Sequence, residues 1–446
     1  MSYRDLADGV LAEAKRAGAD AADVVVSDGS SFSVTVRRGE IETLKQARAK
    51  ALGVRVFVGR RHAVTWTSDF STSALRSLLA DAVGMARASG DDEHAGLPDE
   101  TPPAEDLDLG LVDPALAGVP TEERIEAARR AEAAAFDTSP EIVNSQGSSY
   151  ASDEGELVLA NSLGFMGSYH TSSASISVGP VAQRNGSMER DYWYTTSRRR
   201  DGLLSPEELG RIAAERTLRR LGARQPRTSH VPVVFDPETA SQLLGHVFGA
   251  INGYAVFRSS TFLKDRLGEL VASPLVTVVD EGRRPGGLGA RPFDGEGSPT
   301  RRNVPIENGV LRHWLCDWYS ARKIGAPPTG SARRGVAGGP AVGPGDLSLA
   351  PGDRSPESLV EEVEQGLYVT DLIGFGVNLV TGDFSQGAAG LWIEKGRFAH
   401  PVNEITIAGN LGQMLLDVDA VGDDLVFRSS VAAPTLRVRR MTVSGR

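Results

Sequence analysis

Val304-Pro305-Ile306-Glu307-Asn308-Gly309-Val310-Leu311-Arg312-His313-Trp314 sets an Asn-Gly pair between two apolar runs. A two-residue type I′ turn needs positive φ at both central positions, which Asn and Gly tolerate better than other residues. Val304–Glu307 and Val310–Trp314 therefore read as the arms of an antiparallel hairpin. Further short β-like runs surround it, at Leu275–Asp280, Leu367–Val369, Gly376–Thr381, Leu391–Glu394 and Leu436–Val438. Glycine is abundant, 50 residues in a chain of 446, which suits many turns and strand ends. Before the hairpin, the buried strand Val231–Phe235 leads into a helix that starts at Asp236-Pro237 and runs to Ile251. The second half of the chain reads as β-rich, with few helices.

The first half alternates differently. Leu6, Val10, Ala14 and Ala17 recur at helical spacing over residues 3–18, and Gly18 stops the pattern. Val-rich runs then predict strands at Ala22–Ser27, Phe32–Arg37, Ala51–Val58 and Ala63–Thr67, with turns at Asp28-Gly29 and Val58-Gly59. Helices are expected over Ser71–Ala88, Thr121–Phe136 and Ser205–Leu221. The last has Ser205 as N-cap, Pro206 at the first helical position and Glu208 two residues on. Strands are expected through 141–179 and 189–197. Residues 90–120 hold nine acids, five prolines and no Lys or Arg, and read as an excursion without a core. Composition shifts again over Gly222–Ser229. These patterns predict an α+β protein of two domains, 1–225 and 226–446, the first an antiparallel sheet with helices packed on it.

Composition narrows the function classes. The formal net charge of −10 disfavours nucleic acid, whose phosphates reward Lys and Arg. The local clusters Arg198–Arg200, Arg219-Arg220, Arg333-Arg334 and Arg439-Arg440 read as solvated faces. A single cysteine, Cys316, excludes an internal disulfide and fits a reducing cytoplasm. The residues after Met1 are charged and amphipathic, and no apolar run reaches spanning length, so no membrane is expected. Gly-Lys, the core of the P-loop, is absent, and Gly374-Phe375-Gly376 lacks the third glycine of a dinucleotide fingerprint. The runs Gly286–Gly289 and Gly335–Gly345 read as flexible loops, with an anion nest as the sharper reading. Seven histidines are scattered without a helical His clamp, and His313 and Cys316 fall on opposite faces of a strand.

The second half carries a set of motifs that together are specific: Ser259–Gly268 (SSTFLKDRLG), Pro305–Val310 (PIENGV), Ser320–Arg322, Pro328–Gly330, Gly376–Gly390 (GVNLVTGDFSQGAAG), Pro401–Asn410 (PVNEITIAGN) and Ala433–Leu436. With Arg38–Glu42 and Leu52–Phe57 in the first half, the chain resembles the TldE/PmbA family, the non-catalytic halves of TldD/TldE metallopeptidases. TldD-type chains carry a helical His-Glu-x-x-x-His and a late cysteine as metal ligands. The matching positions here are Gly245, His246 and Ala250, and no cysteine lies in Asp423–Ser430, before the Ala433–Leu436 motif. Gly and Ala have no donor atom, so the resemblance implies no catalytic residue and no metal in this subunit.

The same resemblance implies a barrel-like C-terminal domain, zinc in a TldD-like partner subunit, and unfolded or short peptides as substrates in a shared cytoplasmic chamber. Gly374, Gly376, Asn378, Gly382, Gly387 and Gly390 are the candidate peptide- or partner-facing positions. Two other readings stay open. One is a metallopeptidase active alone through a non-standard site. The other is a non-enzymatic protein that self-associates as a homodimer.

Overall fold

The computed structural model describes residues 2–445. The N-terminal half is built on one antiparallel seven-stranded sheet. Its order is Arg61–Thr67, Glu40–Val58, Ala21–Arg37, Ile142–Asn161, Met166–Arg184 and Ser187–Arg190, with Trp193–Ser197 also paired to Met166–Arg184. The central strands are unusually long. Ala21–Arg37 runs unbroken, so the turn expected at Asp28-Gly29 is absent; Asp28 pairs instead with Lys50 on one side and Glu156 on the other.

The false turn has a physical reason. Even-numbered residues of this strand face the helices, but the helices cover only its two ends. Tyr3–Arg16 and Thr72–Ala88 pack on Val24, Val26, Val54 and Val56. Thr121–Thr138 and Pro206–Leu218 pack on Phe32, Val34 and Val36. Between the two helix pairs no apolar partner is needed, and the strand carries Asp28 and Ser30. Polar residues mid-strand thus mimic a turn signal. The excursion at 90–120 also departs from expectation. It buries Leu97, Leu109, Leu111, Leu116 and Val119, so it packs on the body although its composition is acidic.

In the C-terminal half five strands close a barrel: Ser229–Phe235, Gln365–Ile373, Asp383–Glu394, Arg397–Asn410 and Leu436–Ser444. The last pairs back to the first and also to Arg397–Asn410. Closure removes the exposed edges that an open sheet would leave. A second sheet carries the hairpin, in the order Val310–Leu311, Arg302–Glu307, Val278–Glu281, Asp346–Leu349 and Val431–Ala432. Asn308 and Gly309 sit at φ 48° and 79°, the two left-handed residues of the expected turn. The helix Pro237–Ala250 lies between the two sheets. Its Leu243, Leu244 and Val247 meet Val278 and Leu349 on one side and Leu436 and Val438 on the other. The α+β architecture with a barrel-like C-terminal half is as the sequence predicts. No helix among the described residues is long and apolar enough to cross a membrane.

Candidate functional site

The helix Pro237–Ala250 is fixed at its start by its own sequence. The Asp236 carboxylate accepts from the Thr239 amide at 2.9 Å and Pro237 takes the first helical position. Gly245 lies on the less buried face, and a Cβ built there meets nothing within 4 Å. His246 is half-buried, and that burial pushes its imidazole pKa down. Ala250 is wholly buried at the last turn, where its carbonyl accepts from Thr261 Oγ1 at 2.8 Å.

The late segment that precedes Ala433–Leu436 comes to the same helix. Ala433 N donates to Ser241 Oγ at 2.9 Å, and Arg428 Nη1 pairs with Glu238 Oε1 at 3.3 Å. The other Glu238 oxygen accepts from the Tyr194 hydroxyl at 2.8 Å, while burial, reinforced by Glu238, pushes the Tyr194 pKa up. Arg428 and Arg216 both stack on the Trp193 ring, at 4.7 and 4.4 Å from its centroid. The two stretches implied by the resemblance therefore meet in space, but they bring together an ion pair and aromatics. Gly245 and Ala250 offer no donor, and a lone His246 cannot complete a tetrahedral set, so these residues do not fit a zinc ion. Among the described residues no group of three or more His, Cys, Asp or Glu could hold a metal.

The glycine-rich element divides in two. Residues 374–382 form a loop, not the expected strand at Gly376–Thr381; the strand is Asp383–Glu394. Gly376 and Gly390 serve close packing, since a Cβ would lie 1.5 Å from the Ser385 carbonyl and 2.0 Å from the Tyr368 carbonyl. Asn378 holds the loop: its side chain accepts from the Val380 amide at 2.9 Å and its carbonyl from Gly382 N at 2.7 Å. Gly374 and Asn378 are exposed, Gly387 is intermediate and Gly382 buried. Around them Ile373, Phe375 and Val380 project into solvent, Phe375 completely. The loop also touches the motif helix, for a Cβ on Gly249 would stand 2.8 Å from Leu379.

Sequence reasoning missed a buried ionic seam between the halves. Asp23 is 3% exposed and takes Arg55 Nη2 at 2.5 Å, Arg55 Nε at 2.9 Å and the Arg334 guanidinium. Glu296 stands 3.8 Å from Arg55 and accepts from Trp318 N at 2.8 Å. Its burial, helped by Asp294 and Asp317, pushes its pKa up to about 8. Arg55, Glu296, Asp317, Tyr254, Tyr319 and His62 border a cavity of about 200 Å³. Three of the four Arg clusters likewise turn a member inward, at Arg198, Arg220 and Arg334, where solvated faces were expected. Nothing in local spacing marks these residues, because their partners are remote in sequence. Cys316 is fully buried, and that burial pushes its thiol up to about 12, so it is not a nucleophile. The His313–Cys316 segment lies past the strand, which ends at Leu311.

Three family models cover the chain in succession: PmbA/TldA metallopeptidase domain 1 over 22–86, the central domain over 114–221 and the C-terminal domain over 228–445. Metalloprotease PmbA of Escherichia coli O157:H7 is 39% identical over 96% of this chain and 92% of its own length. The PmbA homolog of Haemophilus influenzae is 36% identical over 97% and 94%. A Bacteroides thetaiotaomicron structure, named as a candidate modulator of DNA gyrase, superposes with a TM-score of 0.92 at 30% identity, covering 99% of both chains. TldE of Thermococcus kodakarensis shares the fold, with a TM-score of 0.89 at 21% identity over 99% of this chain and 100% of its own. With its three successive domain models, its barrel and its motif helix in place, the chain belongs to the PmbA/TldD/TldE metallopeptidase family.

Proposed function

We propose that this chain is the non-catalytic subunit of a zinc metallopeptidase complex, paired with a TldD-like subunit that supplies the metal and the chemistry. The observation that carries the reading is the motif helix. It is folded and correctly apposed to the late segment, yet Gly245 and Ala250 bear no donor atoms and Asp423–Ser430 holds no cysteine. A scaffold kept without its ligands suits a wall-forming subunit better than a self-sufficient peptidase. The cytoplasm is the proposed compartment, in keeping with the single buried thiol. Unfolded or short peptides are the proposed substrates.

The partner-facing element is the loop at 374–382. Exposed Ile373, Phe375 and Val380 beside the motif helix form an apolar patch of the kind that marks interaction sites. The test is to purify the chain alone and with a TldD-like chain of the same organism, and to measure bound zinc and peptide hydrolysis. The reading expects a metal-free, inert lone chain and an active mixture. One zinc per lone chain with chelator-sensitive hydrolysis would overturn it, as would a stable homodimer that ignores the TldD-like chain.

A further inference from the structure

A cavity of about 460 Å³ lies between the other face of the N-terminal sheet and loops of the C-terminal half. Cavities of this size take small organic ligands. Its sheet wall is made of small residues, among them Gly29, Ala47, Ala49, Gly155 and Ser173, so a trough is left open. Its far wall carries Arg198, Arg291 and Arg333.

These three guanidiniums have an unusual set of partners. Arg198 donates to the carbonyls of Gly287 at 2.8 Å, Leu288 at 3.0 Å and Ser172 at 3.1 Å. Arg291 and Arg333 converge on the same two carbonyls, those of Gly289 and Pro344. The run Gly286–Gly289 turns carbonyls to the cations, while its Gly289 amide holds the Asp346 carboxylate. Glycine is required there: a Cβ on Gly289 would lie 2.0 Å from the Gly345 carbonyl. Among the described residues no carboxylate comes within 4.0 Å of any of the three arginines; the ion pairs of the chain lie elsewhere. Asp280, Asp294 and Asp346 accept from the amides of Gly345, Ala332 and Gly289 and act on the three arginines as counter-charges through the field, without direct ion pairs. Four acids also border the cavity: Asp153 on the cavity face of the sheet, and Asp28, Glu154 and Glu156, whose strand positions belong to the helix-side face.

A buried charge is costly, and the cost is least when its counter-charge is in direct contact. Arg291 is only 3% exposed, and its Nε has no partner. Arg333 is exposed and reaches in from the rim, and among the described residues its Nη1 group has no hydrogen-bond partner. Tyr169 is also in the lining; among the described residues its hydroxyl has no hydrogen-bond partner, and all three arginines act on it electrostatically.

We infer that this cavity binds a carboxylate, the free C-terminus of a short peptide, through Arg333 and the Tyr169 hydroxyl, with Arg198 and Arg291 supplying the field. A planar carboxylate matches the guanidinium fork, and the open trough along the sheet leaves room for the preceding residues. The choice of a peptide rests on the peptide-processing reading above; the anion preference rests on three guanidiniums whose hydrogen bonds all go to carbonyls.

Calorimetric titration of the full chain with N-acetyl-trialanine, its C-terminal amide and inorganic phosphate tests the inference. The acid should bind, and the amide at least roughly tenfold more weakly, as expected for loss of a charge-assisted hydrogen bond. Arg333→Gln, at the rim, should weaken the acid by a similar factor, and Tyr169→Phe should weaken it severalfold; both should narrow the acid-to-amide ratio, which a merely structural role would not move. Equal binding of acid and amide, no binding of the acid, or unchanged binding in both variants would overturn it. So would binding of phosphate without the peptide acid. None of these measurements involves zinc or the partner, so a chain that activates a TldD-like subunit but ignores the acid sinks this inference alone.

Discussion

Replacing Asp23 by Asn tests what holds the two halves together. The substitution keeps the volume but removes the carboxylate to which Arg55 and Arg334 both hydrogen-bond. Asp23 is 3% exposed, and the Arg55 and Arg334 side chains are 9% and 1% exposed. Breaking a buried pair by removing one partner costs about 3–5 kcal/mol, because the remaining charge stays uncompensated. With a urea slope of about 3 kcal/mol/M, the midpoint of unfolding should fall by about 1 M or more. A second change, Arg334→Met, should recover part of that loss, since it removes one orphaned charge. Glu215→Gln, which breaks an exposed pair with Arg211, serves as the control and should leave the midpoint where it is. The wild type should also depend on pH. Burial alone would raise the Asp23 pKa, but Arg334 and Arg55 outweigh it and hold the carboxyl below its ordinary value. A depressed carboxyl stabilises the fold above its unfolded pKa and stops doing so as pH falls through the folded one. The acid side of the stability profile should therefore flatten in the Asn variant. A midpoint within about 0.2 M of wild type, an interval of about 0.6 kcal/mol on the same slope, would refute the argument and mean that Glu296 or solvent neutralises both arginines.

Other outcomes follow from the same structure. Glu296, raised to about 8 by burial, is protonated in the folded state where the unfolded chain is ionised, so stability should decline as pH rises from its unfolded pKa toward 8; Glu296→Gln should lessen that decline in urea titrations, most of all between about pH 6 and 8, above the raised Asp280 and Asp294. Gly376→Ala drives a methyl into the Ser385 carbonyl and should cost about 1–3 kcal/mol, read as a lower Tm. Phe375→Ser should leave Tm unchanged, because the ring touches solvent only, but should abolish co-purification with a TldD-like chain. The Cys316 thiol, raised to about 12, should resist a thiol reagent at pH 8 until urea unfolds the chain.

Elements whose signals are local were already legible in the chain. The Asn308-Gly309 turn, the Ser205 cap on Pro206–Leu218 and the Asp236-Pro237 start of the motif helix are where residue chemistry puts them, because each depends on neighbours within four positions. The α+β class and the family were legible for a related reason: periodicity and motif strings are properties of the chain. The absence of donor atoms at Gly245 and Ala250 was also plain, since no fold can supply a missing side chain. Tertiary structure decided the rest. Asp28-Gly29 reads as a turn but is mid-strand, because helices cover the strand only at its ends. Arg198 and Arg334 read as surface charges but turn inward, because their partners come from segments tens to hundreds of residues away. Closure of the barrel and the meeting of the two halves create those neighbours, and no window of sequence contains them.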